Sequence, residues 1–246
     1  MVAIWSRVIS FALLAGAPLL AAEVGSFDRT LNVTGPVDLT VETNSGGITV
    51  RSGSGNSVFV HATISANNPA DTDAAQRARE VESNPPIRQS GNTIRIEHLD
   101  NSRGRNLSIT YEITTPAQTK LSASAGSGAV HISGLEDSVR AQTGSGAIDV
   151  DTIRGNVQAQ TGSGGIQASN VTGSISGRTG SGGITVRLPA SGGFDVRAKT
   201  GSGRINVDPP MTVQSSLLSD HEMEGKVRGG GPLLDLMTGS GGVRIE

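Results

Sequence analysis

The chain has 246 residues, a net charge of −2, no cysteine, and 34 glycines against four phenylalanines, one tyrosine and one tryptophan. That length is enough for one or two domains with a buried core, but so few rings force a thin interior of Val, Ile, Leu and Ala. Scattered charge of both signs argues against nucleic acid or an anionic membrane as the main partner, and the lack of cysteine excludes a disulfide framework or a lipobox lipid anchor.

The first 22 residues read as an export signal. Arg7 supplies the positive start, Val8 to Leu20 an apolar stretch broken by Gly16 and Pro18, and Ala-Ala-Glu a small-residue cleavage site near Ala22. The apolar stretch is too short to span a bilayer comfortably. The expectation is export through the Sec pathway, to the periplasm, the cell surface or the medium.

Residues 23–115 form an irregular N-terminal β region. Thr43 to Arg51 (TNSGGITVR) is a first copy of a phrase that returns later. Alternating apolar runs over Ser57 to Ile64, Asn92 to His98 and Asn106 to Ile113 predict strands without a shared period. Between them, Ala70 to Ser83 predicts one short helix, started by Pro69 and Asp71 and stopped by Asn84-Pro-Pro. Its apolar face is only Ala74, Ala75, Ala78 and Val81, which suits a surface excursion or a cap.

Residues 116–208 are regular. Aligned on the first glycine of each G-S-G, the phrases start at Gly126, Gly144, Gly162, Gly180, Gly201 and Gly239, at intervals of 18, 18, 18, 21 and 38. A fixed short period is the signature of a repeat architecture. Each 18-residue unit holds two alternating triplets, such as Ile148/Val150 and Val157/Ala159, each bounded by glycine. Two short strands per unit, stacked at the strand spacing of about 4.8 Å, describe a β-solenoid, a single-stranded β-helix-like all-β fold. Successive coils are expected to stack in chain order, with the glycines serving the turns through their tolerance of positive φ. Residues 209–246 then read as a long loop, Asp208 to Asp235, and a closing coil with Val243 and Ile245 inward. Residues 23–246 are expected to be one continuous domain.

The phrases YEITTPAQTKLSASAGSGAVHISGL, TGSGAIDV and the closing GGGPLLDLMTGSGGVRIE resemble the bacterial adhesin-like family of unknown function DUF4097, from about Asn32 onward. The resemblance implies a β-helix or β-solenoid on an exported protein. It brings no catalytic or binding residues to carry over.

Several chemistries fail on the residues themselves. The fifth residue after each first glycine is Asp149, Gln167, Thr185, Asn206 or Arg244, never the glycine of a dinucleotide loop, and the phrase leads into a strand. A calcium roll needs aspartate where Ile148, Ile166, Ile184 and Ile205 stand. No G-x-S-x-G elbow occurs, and His61, His98, His131 and His221 lack metal-ligand spacing. No cofactor, nucleotide or metal is therefore expected. One constellation could serve a carbohydrate-active lyase or hydrolase: His131 and Asp149 one coil apart, with Asp151 beside them. A solvated His–Asp pair explains the same residues.

Two further columns are expected on the outside, Gln142, Gln160, Arg178 and Lys199, and Thr143, Thr161, Thr179 and Thr200. Such columns stabilise stacked strands, and the first also offers a regular polar surface to a polymer. The resulting expectation is a non-enzymatic exported module, structural or adhesive, at the cell envelope. Its partner would be an envelope glycan or a surface protein. The alternatives are the β-helical enzyme and a filament that self-associates through its solenoid ends.

Overall fold

In the computed structural model the described residues are 22–68, 70–213, 219 and 221–246. The expected leader lies outside them, apart from Ala22, as does Pro69 at the expected helix start. The chain opens with β1 (Ala22–Asn32), β2 (Val37–Thr43), β3 (Ile48–Gly53) and β4 (Ser57–Ala66). The helix α1 (Ala74–Ser83) follows, then β5 (Ile87–Ser90), β6 (Thr93–Ile96) and β7 (Leu107–Pro116). Regular strand pairs come next: β8 (Thr119–Ala125) with β9 (Val130–Ser133), β10 (Val139–Thr143) with β11 (Ile148–Asp151), and β12 (Val157–Thr161) with β13 (Ile166–Ser169). They continue with β14 (Ile175–Thr179) and β15 (Ile184–Arg187), then β16 (Phe194–Thr200) and β17 (Ile205–Val207). The last strands are β18 (Met211–Val213), β19 (Glu222–Val227), β20 (Leu233–Thr238) and β21 (Val243–Ile245).

Two sheets face each other across one core. The first has ten strands in the order β1-β4-β7-β3-β9-β11-β13-β15-β21-β17. The second has eleven, in the order β18-β19-β16-β20-β14-β12-β10-β8-β2-β6-β5. Each coil gives one strand to each sheet, and the register repeats at 18: Val139 pairs with Val157 and Val157 with Ile175, Ile148 with Ile166 and Ile166 with Ile184. The expected β-solenoid and its inward residues stand. A further inward ladder, Leu135, Ile153 and Val171, closes the core at the second turn of each coil.

The stacking order departs from the chain order at both ends. The coil β2–β3 lies between β6–β7 and β8–β9. The coil β20–β21 enters between β14–β15 and β16–β17. Gly239 therefore stacks on Gly180, and Gly201 on Gly239. The stretch read as a loop from Asp208 contains β18 and β19, and β19 runs antiparallel along the edge of β16. The 38-residue interval encodes a return of the chain.

The G-S-G glycines answer to a different constraint from the one expected. None of them from Gly126 onward has φ in the left-handed region. A Cβ on Gly146, Gly164 or Gly182 would instead lie 1.8–2.0 Å from the carbonyl oxygen of the equivalent glycine one coil earlier. Close approach of stacked backbones, rather than turn conformation, demands glycine here. Positive φ is used at the other turn, by Gly134, Thr152 and Asn170.

The helix starts at Ala74, later than expected, and buries Ala74, Ala78 and Val81. It covers the edge of β1, where the Ser26 N–H donates to Glu82 Oε1 at 2.7 Å. An open strand edge is a template for further pairing, and here the helix blocks it.

Candidate binding surface

The inner threonines correct one expectation. Thr143, Thr161, Thr179 and Thr200, expected outside, are only 2–7% exposed. The B-e-B-i-B burial pattern of β10 turns its last residue inward. Each hydroxyl donates to a turn carbonyl of the neighbouring coil and accepts from its own turn. Thr161 Oγ1 donates to Gly146 O at 3.0 Å and accepts from the Gly164 N–H at 3.1 Å. These threonines seal the first turn of their coils and leave nothing for a ligand.

The other column is on the surface but is not continuous. Gln142, Gln160 and Arg178 are neighbours, and Met237 of β20 stands between Arg178 and Lys199. Gln160, Arg178, Met237 and Lys199 border a depression of about 490 Å³ at the rim of the second sheet. Both cations are engaged, Arg178 with Asp235 at 3.1 Å and Lys199 with Glu222 at 3.5 Å.

On the first sheet His131 and Asp149 meet as anticipated, Nδ1 to Oδ2 at 3.0 Å, in a depression of about 250 Å³ that Asp151 also borders. Their side chains are 50% and 38% exposed. Asp151 is tied into a local network, accepting from Thr152 Oγ1 at 2.9 Å and Asn170 Nδ2 at 3.3 Å. His61 with Asp28, and His98 with Glu42, make the same kind of cross-strand pair. A pair repeated three times on open sheet faces is an ordinary surface contact of small energetic weight. Among the described residues no cluster of three or more His, Asp or Glu has the arrangement of a metal site.

Another concavity lies on the outer face of the second sheet. It is a trough of about 500 Å³ crossing β2, β8, β10, β12, β14 and β20. Six strands at about 4.8 Å give it a length of roughly 24 Å along the stacking axis. Lys120, Ser138, Asn156 and Ser174 form one wall, and Ser122, Arg140, Gln158 and Ser176 the other. Short side chains on both rows keep the floor open, because the residues between them, Leu121, Val139, Val157 and Ile175, point into the core.

The first wall is braced internally. Asn156 Oδ1 accepts from the Ser174 N–H at 3.0 Å, and Ser174 Oγ from the Leu233 N–H at 3.2 Å. Asp38 and Asp235 lie at its two ends, while Lys120 and Arg140 make no ion pair among the described residues. Among the described residues no aromatic ring lines the trough: Phe27, Tyr111 and Phe194 are buried, and Phe59 is on the opposite sheet. The sequence carried a trace of this surface in Ser138, Asn156 and Ser174, each 18 apart and just before a strand.

The model of the family described as Toastrack DUF4097 matches residues 26–246. The chain belongs to that family. No curated protein matches the chain. Among solved structures, this fold is similar to that of a "putative cell adhesion protein" from Clostridium sporogenes ATCC 15579, at 14% identity and a TM-score of 0.56, over 89% of this chain and 98% of that one. A "putative adhesin" from Bacteroides fragilis NCTC 9343 also matches, at 13% identity and a TM-score of 0.38, over 90% of this chain and 97% of that one. The first likeness is one of fold alone.

Proposed function

We propose that this Toastrack protein is a non-enzymatic, exported module of the cell envelope, adhesive or structural, that holds a linear glycan along the trough of its second sheet. The trough carries this reading. Hydroxyl and amide groups recur along both of its walls at the strand spacing, so a polymer of similar repeat meets equivalent partners at each coil. Many weak contacts of that kind add up to useful affinity. Its lining carries Lys120, Arg140, Asp38 and Asp235, the last already paired with Arg178, so only a small excess of positive charge remains, which suits an uncharged or zwitterionic chain better than a polyanion. Export rests on the leader read in residues 1–22.

The experiment is a glycan array that includes envelope polysaccharides, probed with the mature protein, with each well also assayed for cleavage. Binding without cleavage is expected, weakened roughly tenfold or more in a Gln158→Ala, Arg140→Ala double variant through the loss of about two hydrogen bonds, one of them charged. Binding indifferent to those substitutions would remove the trough from the account. Cleavage lost on Asp149→Ala would replace the adhesive reading with an enzymatic one.

A further inference from the structure

Near its C-terminal end the chain leaves a gap that it must return to fill. The coil β16–β17 lies two strand spacings from β14–β15, about 10 Å, and β20–β21 occupies the space between. Both sides of the gap have the same grammar. Ile175, Gly177 and Thr179 line one side, Val196, Ala198 and Thr200 the other, and G-S-G follows each threonine. Strand β16 could therefore pair with β14 directly, in the register β20 uses, with Ala198 facing Gly177 in place of Leu236.

One contact favours the observed order. A Cβ on Gly177 would lie 3.3 Å from Leu236 Cδ2 and 3.7 Å from Ile184. Leu236 thus fills the space that Gly177 leaves, and alanine there would leave a void. Leu234, Leu236, Val243 and Ile245 are all buried in the gap. The gap selects the coil by its sequence, and nothing in that selection requires both to come from one molecule. The connection into the coil has the character of a hinge. Arg228, Gly229 and Gly230 have φ of 48°, 89° and 88°, and Gly231 and Pro232 after them are exposed.

We infer that the gap is a strand-exchange site whose partner is a second copy of this chain, with the β20–β21 coil of each copy entering the gap of the other. All contacts of the coil are remade in the exchanged pair, so the two arrangements differ only in the hinge and in concentration. A short connection holds its own coil at an effective concentration of the order of millimolar. Folding from dilute solution therefore yields monomer, and refolding at hundreds of micromolar or above, toward that scale, yields exchanged pairs.

The absence of cysteine makes the test direct. Ser176 and Asp235 are register partners on the outer face of β14 and β20. Neighbouring strands lie within the Cα separation that a disulfide spans. Full-length chains carrying Ser176→Cys and chains carrying Asp235→Cys are unfolded, mixed, refolded at high concentration and oxidised. A disulfide between the two variants requires β20 of one chain beside β14 of the other. The expected result is a mixed covalent dimer, well above that from Asp149→Cys with Asp235→Cys, whose positions lie on opposite sheets. It should be absent when the folded variants are mixed in dilute solution. A second in-register pair, Arg178→Cys with Met237→Cys, guards against one substitution disturbing the fold. Failure of both pairs to exceed the control overturns the inference.

Discussion

Glycine and threonine divide the work at the first turn of each coil, and the division follows from how closely the coils stack. The Gly164 Cα faces the Gly146 carbonyl so closely that a methyl group would sit 1.8 Å from its oxygen. Backbone bounds the space, so no side chain can move aside. Gly164→Ala is expected to cost about 3 kcal/mol, the upper end for overpacking, measured by chemical denaturation. Thr161 supplies what glycine cannot, a hydroxyl that ties its own turn to the one below. Thr161→Val keeps the shape and strands a carbonyl and an N–H, at an expected cost of about 1–3 kcal/mol. An equal loss from the exposed substitution Gln160→Ala would show that the buried hydroxyl has no special part.

A polar knot at the start of helix α1 adds to the Glu82 contact with β1 and ties the helix to Asn106, just before β7. Asp71, with a side chain only 12% exposed, accepts from Asn106 Nδ2 at 2.7 Å and from Arg77 at 2.6 Å. The Asn106 hydrogen bond, then the bond and charge of Arg77, hold its carboxyl below the ordinary carboxylate range against the opposing effect of burial. A depressed folded-state pKa contributes stability that is present above the unfolded value, near 3.8, and lost as pH falls through the folded one. Acidification below that range should loosen α1 from β1 before the coils respond, seen as early hydrogen exchange in residues 74–83. In Asp71→Asn the same protection should be weak at neutral pH and insensitive to acid. The helix itself was legible from its Asn-Pro-Pro stop and its alanine stripe. The knot was not, since Asp71 and Asn106 lie 35 residues apart and nothing in either neighbourhood announces the other.

For the whole molecule, interleaving decides how the stack ends. The coils β2–β3 and β20–β21 are nearest the chain ends, yet each lies between two others. In a simple stack the terminal coil has one neighbour and frays first. Here the last coil is gripped on both sides, and Leu236 fits the gap at Gly177. Leu236→Ala is expected to cost about 2–5 kcal/mol. It should also destabilise the β16–β19 edge that rests on the coil, so hydrogen exchange should rise in both segments together. Exchange confined to residues 233–246 would mean the outer coil does not depend on the inserted one.

The repeat by itself determined the coil length, the two strands per coil, the inward apolar ladders and the polar outer faces. Alternation and period are local properties that hold whichever coil a strand pairs with. The order of coils and the trough were settled only in three dimensions, whereas the inward threonine follows from the same alternation, two residues beyond Ala159. From β10 onward every coil has the same threonine followed by G-S-G, so the sequence permits several stackings of these coils at nearly equal local cost. At the C-terminal end one complementary pair favours the observed order, Gly177 and Leu236, whose members are 59 residues apart in the chain. Such a pair has meaning only once the two sheets face each other and the space between them must be filled.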